Sequence, residues 1–174
     1  MSILPSAFFA VIFVYFISVF AAHTWSGIRT RKLSSLSPRD LLNKLHPVPL
    51  REIEALAHAH MPSSEHSTRD PITIWRMLGE ARGVSNMIEN TEIMIALASY
   101  AERWNPADMQ FDAARMRRDG VLFRRAAAHL SNSVITANPL NISLYAHEVA
   151  STYYVMSQRL RTAMNIDPQF AEPR

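Results

Sequence analysis

Histidine has the widest chemical repertoire of the residue types in this chain, and three of the seven histidines lie close together. His58 and His60 are followed by His66, with Glu65 beside it. Imidazole nitrogens and a carboxylate are ligands that zinc prefers in proteins. However, His58 and His60 are two residues apart, so a helix would point them to different sides, and no i,i+4 histidine pair is present. We therefore predict no metal site and expect solvated histidines that suit the dipole at a helix C-terminus.

A second candidate set consists of His129 and the adjacent pair His147-Glu148. They fall on two consecutive predicted helices, and antiparallel packing would bring His129 towards His147. Neighbouring histidine and glutamate can transfer protons to and from a substrate. The chain contains neither a GxSxG nucleophile turn nor a glycine-rich phosphate loop to accompany them. The sequence therefore favours structural or surface roles, and we predict no catalytic residues.

Five arginines lie within the eleven residues from 115 to 125. Arg118 and Arg125 share a helical face with Arg115 nearby, whereas Arg117 and Arg124 share another. The common interpretation is a solvent-exposed face that pairs with nearby aspartates. The functional interpretation is a site for an acidic partner or a phosphate, with Arg115, Arg118 and Arg125 as candidate partner-binding residues. No aromatic residues interleave with these arginines, so we predict no nucleic-acid binding.

Composition narrows the chemistry further. The chain has no cysteine, which excludes disulfides, thiol catalysis, thiolate zinc sites and iron–sulfur clusters. A net charge of +3 in 174 residues is weak evidence for a nucleic-acid partner. Four glycines and 48% hydrophobic residues suit a helical protein better than a sheet, since sheets need many turns. We predict no cofactor.

An uncharged run from residue 4 to residue 22 is rich in Phe, Ile and Val. With the residues that follow it, up to Trp25, it reaches the ~20 residues that a helix needs to cross a bilayer. Trp25 stands where interfacial aromatics occur, and Pro5 fits a first helical turn. The sequence predicts a transmembrane helix over residues 4–25.

A cleaved signal peptide is the competing interpretation, since Val19 and Ala21 could precede a cleavage site. No Lys or Arg precedes the apolar run, and the run is longer than a typical signal sequence, so we favour an uncleaved anchor. All 18 Lys and Arg residues follow the run. By the positive-inside rule, residues 1–3 face outward and the C-terminal part is cytoplasmic.

Four phenylalanines of the predicted anchor recur at steps of four, three and four: Phe9, Phe13, Phe16 and Phe20. This spacing places them on one side of the helix. An aromatic stripe can pack against another helix in the bilayer, so these residues are further candidates for partner binding. The partner would be a larger membrane protein or a second copy of the chain. Chance alignment is the plain alternative, and the small-xxx-small pattern of close helix pairs is missing.

After a basic linker, residues 26–37, helix start and stop signals divide residues 38–165 into a helical domain, followed by a tail, residues 166–174. Ser37 predicts an N-cap with Pro38 in the first turn, and Pro49 predicts a helix from Leu50 to about His60. Asp70-Pro71 predicts a third start. Further boundaries are predicted at Gly83 as a stop, Ser85 or Asn86 as a start, and the pairs Asn105-Pro106 and Asn138-Pro139.

The clearest pattern lies between residues 106 and 137, where small and apolar residues recur at alternating steps of four and three. The pattern predicts one continuous helix. Gly120 falls on this seam, so we read it as a point of close approach to a neighbouring helix, despite the turn-like pair Asp119-Gly120. The seam consists of Met109, Ala113, Met116, Gly120, Phe123, Ala127, Leu130, Val134 and Ala137.

Together these patterns predict an all-α protein: one N-terminal transmembrane helix followed by a small cytoplasmic antiparallel helical bundle. The function we favour is a non-enzymatic, membrane-anchored interaction or accessory protein in contact with the lipid bilayer. The alternative is a membrane-bound helical enzyme or ligand-binding bundle that uses His129, His147 and Glu148. An exported helical protein with a cleaved signal is a third possibility.

Overall fold

A computed structural model describes residue 33 and residues 36–59, 70–104 and 106–164. The chain divides into two compact units, Met1–Leu36 and Ser37–Arg174, and the fold described here is that of the second. Every regular element of its described part is a helix, which confirms the predicted helical bundle. These elements are α1 (Pro38–Leu42), α2 (Leu50–His58), α3 (Pro71–Met77), α4 (Glu80–Trp104), α5 (Pro106–Ile135) and α6 (Pro139–Met164).

The predicted transmembrane helix, residues 4–25, and the predicted tail, residues 166–174, lie outside the described residues. Among the helices that are described, none combines the length and the apolar character needed to span a bilayer.

The first two helices begin where their sequence signals predict. The Ser37 hydroxyl accepts a hydrogen bond from the Asp40 backbone N–H (3.2 Å) and donates one to the Asp40 carboxylate (2.7 Å), with Pro38 in the first turn of α1. α1 ends at Leu42. α2 starts at Leu50, after Pro49, as predicted.

The break between α3 and α4 lies at Gly79, so the prediction of a stop at Gly83 is wrong. Gly79 has φ +78°, in the left-handed region, and α4 begins at the next residue, Glu80. Gly83 is instead buried inside α4, where an added β-carbon would overlap the Leu78 carbonyl group. Both positions require glycine, one for its backbone conformation and the other for its small volume.

The predicted continuous helix is confirmed as α5, Pro106–Ile135, with Gly120 in its middle. Its seam faces the core through buried residues: Ala113, Met116, Gly120, Phe123, Ala127 and Leu130. The seam extends less far than expected at its C-terminal end. Val134 is partly exposed, and Ala137 lies beyond the helix with φ +50°.

The last helix, α6, is the centre of the bundle and packs against α2, α3, α4 and α5. Its apolar face is largely buried, with Val149, Tyr153 and Met156 at its middle. α5 and α6 are antiparallel, because His129 meets Tyr145 near one end of the pair while Asp119 meets Arg159 further along. The antiparallel arrangement that the short connections predict is therefore present.

Candidate functional site

The two histidines that were candidates for shared chemistry have different neighbours. His129 is exposed and stacks on Tyr145, with ring centroids 4.9 Å apart. His147 is buried, and its Nδ1 lies 3.0 Å from the Leu56 carbonyl oxygen of α2. A carbonyl only accepts hydrogen bonds, so His147 Nδ1 carries the proton and satisfies a carbonyl in the last turn of α2. The geometry thus gives His147 a capping role and leaves His129 on the surface.

Within the described residues, no three His, Asp or Glu side chains converge as metal ligands. His60, Glu65 and His66 lie outside that part of the chain. His58 instead belongs to a surface cluster between α2 and α6. Its ring meets Tyr154 edge-on at 5.1 Å, and the Tyr154 hydroxyl donates to Glu54 Oε1 at 3.0 Å. This cluster joins the two helices.

A buried polar residue that sequence reasoning missed is Asn90 of α4, which is 2% exposed. Its Oδ1 accepts from the His46 backbone N–H (2.7 Å), while its Nδ2 donates to the His46 carbonyl (2.8 Å) and to the Tyr153 hydroxyl (3.0 Å). Burial raises the pKa of Tyr153 to about 12, although the hydrogen bond from Asn90 opposes the rise. Asn90 therefore fixes the segment between α1 and α2 to the core of the bundle.

Asn86 and Glu89, near Asn90 on the same face of α4, also contact the segment between α1 and α2. Asn86 Nδ2 donates to the Pro47 carbonyl (3.1 Å), and the Glu89 carboxylate lies 3.0 Å from His46 Nε2. The available sequence signal was the spacing of Asn86, Glu89 and Asn90 by three and four, which puts polar side chains on one helical face.

The five arginines of α5 separate into two groups. Arg117 forms two hydrogen bonds to Glu102 of α4 (2.9 and 3.3 Å), which lower the pKa of Glu102, and Arg124 Nε donates to the Gly120 carbonyl. Arg115, Arg118 and Arg125 are exposed, and no ion pair or hydrogen bond engages them within the described residues. The structure therefore groups the three candidate partner-binding arginines together and leaves their guanidinium groups available.

One of the nearby aspartates, Asp119, does not neutralise these arginines. Asp119 of α5 forms an ion pair with Arg159 of the neighbouring helix α6. Apolar side chains lie among Arg115, Arg118 and Arg125: Val121 is 59% exposed and Leu122 is 43% exposed. We call Arg115, Arg118, Val121, Leu122 and Arg125 the arginine face of α5. It combines exposed guanidinium groups with an exposed aliphatic area.

Comparison of the chain with protein-family models, with curated proteins and with solved structures finds no match. The other candidate partner-binding residues, Phe9, Phe13, Phe16 and Phe20, lie outside the described residues.

Proposed function

We propose that this chain is a non-enzymatic accessory protein, anchored in a membrane by residues 4–25, that holds its helical domain at the cytoplasmic surface and binds an acidic partner protein. The observation that carries the proposal is the arginine face of α5. Its three guanidinium groups are exposed and have no ion-pair partner within the described residues, and they surround exposed aliphatic side chains.

The distribution of polar contacts supports an interaction role. Of the two histidines considered for acid–base chemistry, His147 is buried and contacts the Leu56 carbonyl of α2, whereas His129 is exposed and stacks on Tyr145. Arg115, Arg118 and Arg125 are different, since no ion pair or hydrogen bond engages them within the described residues. Arginine presents a planar fork that matches carboxylates, and it is enriched among the residues that dominate interface energies.

Membrane attachment is supported by the sequence. The run over residues 4–22 is uncharged, and Arg29, Arg31 and Lys32 follow it closely. Cations on the cytoplasmic side of a span set its orientation, so the helical domain would face the cytoplasm. A tethered domain searches for partners near the membrane surface, which raises their effective concentration.

Detergent extraction from the native membrane, followed by identification of co-purifying proteins, tests this proposal. We expect a partner with an acidic surface whose recovery falls when Arg115, Arg118 and Arg125 are all changed to Gln. A matched variant changes Arg39, Arg76 and Arg82 to Gln, which removes the same charge from exposed positions elsewhere. Loss of the partner in both variants would indicate a response to net charge alone. The absence of any specific partner would refute the proposed function.

The anchor is tested in the same preparation. The protein should remain in the membrane after alkaline carbonate washing, and its intact mass should correspond to a chain that starts at or near Met1. A mature chain that begins near Ala22 or His23 would refute the anchor and the localisation that follows from it.

A further inference from the structure

The hairpin of α5 and α6 ends in a surface without Asp, Glu, Lys or Arg, on which aliphatic side chains are exposed beside Asn and Thr side chains. No Asp, Glu, Lys or Arg occurs from residue 126 to residue 147. Three of the large side chains there are exposed: Ile135 is 83% exposed, Leu140 is 76% and Leu144 is 44%. Leu140 and Leu144 are one turn apart on α6, and Ile135 is the last residue of α5. We call residues 130–145 the hairpin tip.

Three hydroxyl groups of the hairpin tip are satisfied by its own backbone. The Ser131, Ser133 and Thr136 hydroxyls donate to the carbonyl oxygens four residues earlier, at 2.9, 2.7 and 3.0 Å. A hydroxyl that already bonds the backbone loses less when it leaves water. The tip is therefore less polar than its composition suggests.

The turn itself also satisfies its backbone. The Asn138 N–H donates to the Ser133 carbonyl (3.0 Å) and the Ala137 N–H to the Val134 carbonyl (3.2 Å), the hydrogen-bond pattern of a Schellman motif. The Asn138 side chain then accepts from the Asn141 N–H at 3.3 Å and caps α6. Groups that would otherwise need water at the end of one helix and the start of the next are thus partnered.

We propose that the hairpin tip inserts into the interfacial region of a lipid bilayer as a second membrane contact of this chain. The inference rests on the proposed membrane attachment. Bilayer interfaces accept aliphatic side chains on helices whose backbone groups are bonded internally. Charged residues oppose insertion, and residues 126–147 contain no Asp, Glu, Lys or Arg.

The positions of Arg125 and of the predicted linker are compatible with insertion of the hairpin tip. Arg125 precedes Ile135 by ten residues, which corresponds to about 15 Å along α5. Interfacial elements bury their apolar side chains ~5–10 Å deep, so Arg125 would stand near the level of the lipid phosphates. The predicted linker, residues 26–37, can span at most ~40 Å, and such a short tether makes a weak insertion effective.

The absence of cysteine permits a direct test in the full-length chain. Single-cysteine variants Ile135→Cys and Leu140→Cys are labelled with an environment-sensitive fluorophore and reconstituted into vesicles of phosphatidylcholine and phosphatidylserine. Val155→Cys is the matched control, since Val155 is an exposed aliphatic residue of α6 that lies fifteen residues beyond Leu140. We expect blue-shifted emission at positions 135 and 140 that is quenched by lipids brominated on their acyl chains. The label at position 155 should show neither effect.

Other outcomes separate this inference from the proposed function. If the chain floats with the vesicles but labels at 135 and 140 are quenched no more than the label at 155, the tip does not insert, while the anchor stands. A blue shift without lipid quenching, lost when the chain is diluted in lipid, would show that a second copy covers the tip and would also refute insertion. If the chain does not float with vesicles, both the anchor and the insertion are wrong.

A second set of variants tests the contribution of the exposed side chains. A label at Leu144→Cys should lose lipid quenching when Ile135 and Leu140 are both changed to Gln. The unfolding midpoint should be unchanged because both side chains are largely exposed. Quenching that persists with the two glutamines in place would refute the proposal that these aliphatic side chains drive insertion.

Discussion

Gly120 of α5 lies directly against Ile95 of α4. A β-carbon on Gly120 would stand 2.5 Å from Ile95 Cδ1 and 3.3 Å from Thr91 Cγ2. These distances are shorter than van der Waals contact between carbon atoms. The absence of a side chain at this position therefore allows α4 and α5 to pack closely, and it explains why a glycine interrupts the apolar seam of α5.

Changing Gly120 to Ala should leave the free energy of unfolding unchanged or lower it by up to ~2 kcal/mol. At a loosely packed helical position the same change would stabilise by up to ~1 kcal/mol through helix propensity. Here the added methyl must displace Ile95. Denaturant unfolding of the full chain in detergent measures the difference. Gly120→Leu should cost several kcal/mol more, since it forces a bulky group into the contact.

Ile95→Val provides the matched control because it removes the Cδ1 atom that the new methyl would meet. We expect Gly120→Ala to be less destabilising in the Ile95→Val background than in the native chain. Equal effects in the two backgrounds would show that Ile95 does not limit the close approach.

Thr91 carries a buried hydroxyl with no hydrogen-bond partner in the described structure. Changing Thr91 to Val should stabilise the protein by about 1 kcal/mol, because valine keeps the branched shape and avoids burying an unsatisfied polar group. Thr91→Ser is the control: it keeps the hydroxyl, loses a methyl group and should destabilise by ~1 kcal/mol. If Thr91→Val is less stable than the native chain in the same unfolding measurement, the hydroxyl has a partner.

Helix starts and the long seam were predictable because they depend on local rules. Ser37-Pro38 satisfies a cap within three residues, and the spacing of residues from Ala113 to Leu130 marks one face of a single helix. The same rules could not separate Gly79 from Gly83. Each is a plausible helix stop in sequence, and the choice depends on Gly83 packing against the Leu78 carbonyl.

For the candidate site, too, the sequence predicts the features that depend on helical spacing but not those that depend on tertiary contacts. Helical spacing grouped Arg115, Arg118 and Arg125 on one face, but only the tertiary structure shows that Asp119 pairs with Arg159 and not with any of them. The partners of Asn90 lie 44 and 63 residues away in the chain. Contacts over such separations leave no local pattern in the sequence. The role of Asn90 in fixing the segment between α1 and α2 to the core could therefore not be predicted.

The Tyr153 phenol should make stability sensitive to alkaline pH. Its pKa in the folded protein is raised from 10.0 to about 12. Between these values the unfolded chain has released the proton while the folded protein still holds it, so stability falls as the pH rises. The contribution of the protonated Tyr153 phenol to the free energy of unfolding is complete below pH 10. Its loss should lower that free energy by roughly 1 kcal/mol by pH 11.

Tyr153→Phe isolates this effect. The variant should be about 1 kcal/mol less stable near neutral pH, because Asn90 loses an acceptor, but its stability should decline less than that of the native chain between pH 10 and 12. Parallel declines in the two proteins would assign the alkaline loss to other groups. Denaturant unfolding at fixed ionic strength supplies the comparison.

Ala137 adopts the left-handed conformation, φ +50°, at the C-terminus of α5. Alanine is strained there, whereas glycine is the residue that helix ends of this type favour. Ala137→Gly should therefore stabilise the protein by about 0.5–1 kcal/mol. The same change at Ala128, an exposed position inside α5, should destabilise it by ~1 kcal/mol. A destabilising Ala137→Gly would contradict the conformation of the hairpin tip.

The predicted phenylalanine stripe of the anchor is a candidate surface for association with another transmembrane helix. Lipid tails are as apolar as phenylalanine, so hydrophobicity alone gives no reason to align Phe9, Phe13, Phe16 and Phe20. We expect replacement of all four by Leu, which preserves insertion, to reduce recovery of a membrane partner or of the self-associated form.

A control for this replacement changes Val11 and Val14 to Leu, since helical spacing places them on the opposite side of the anchor. Native-membrane crosslinking and co-purification compare both variants with the native chain after each has been shown to resist carbonate extraction. If partners and oligomeric state are unchanged in the four-leucine variant, the stripe faces lipid and the anchor acts only as a tether. If both variants lose the partner, the association depends on the volume or flexibility of the anchor as a whole and not on an aromatic face.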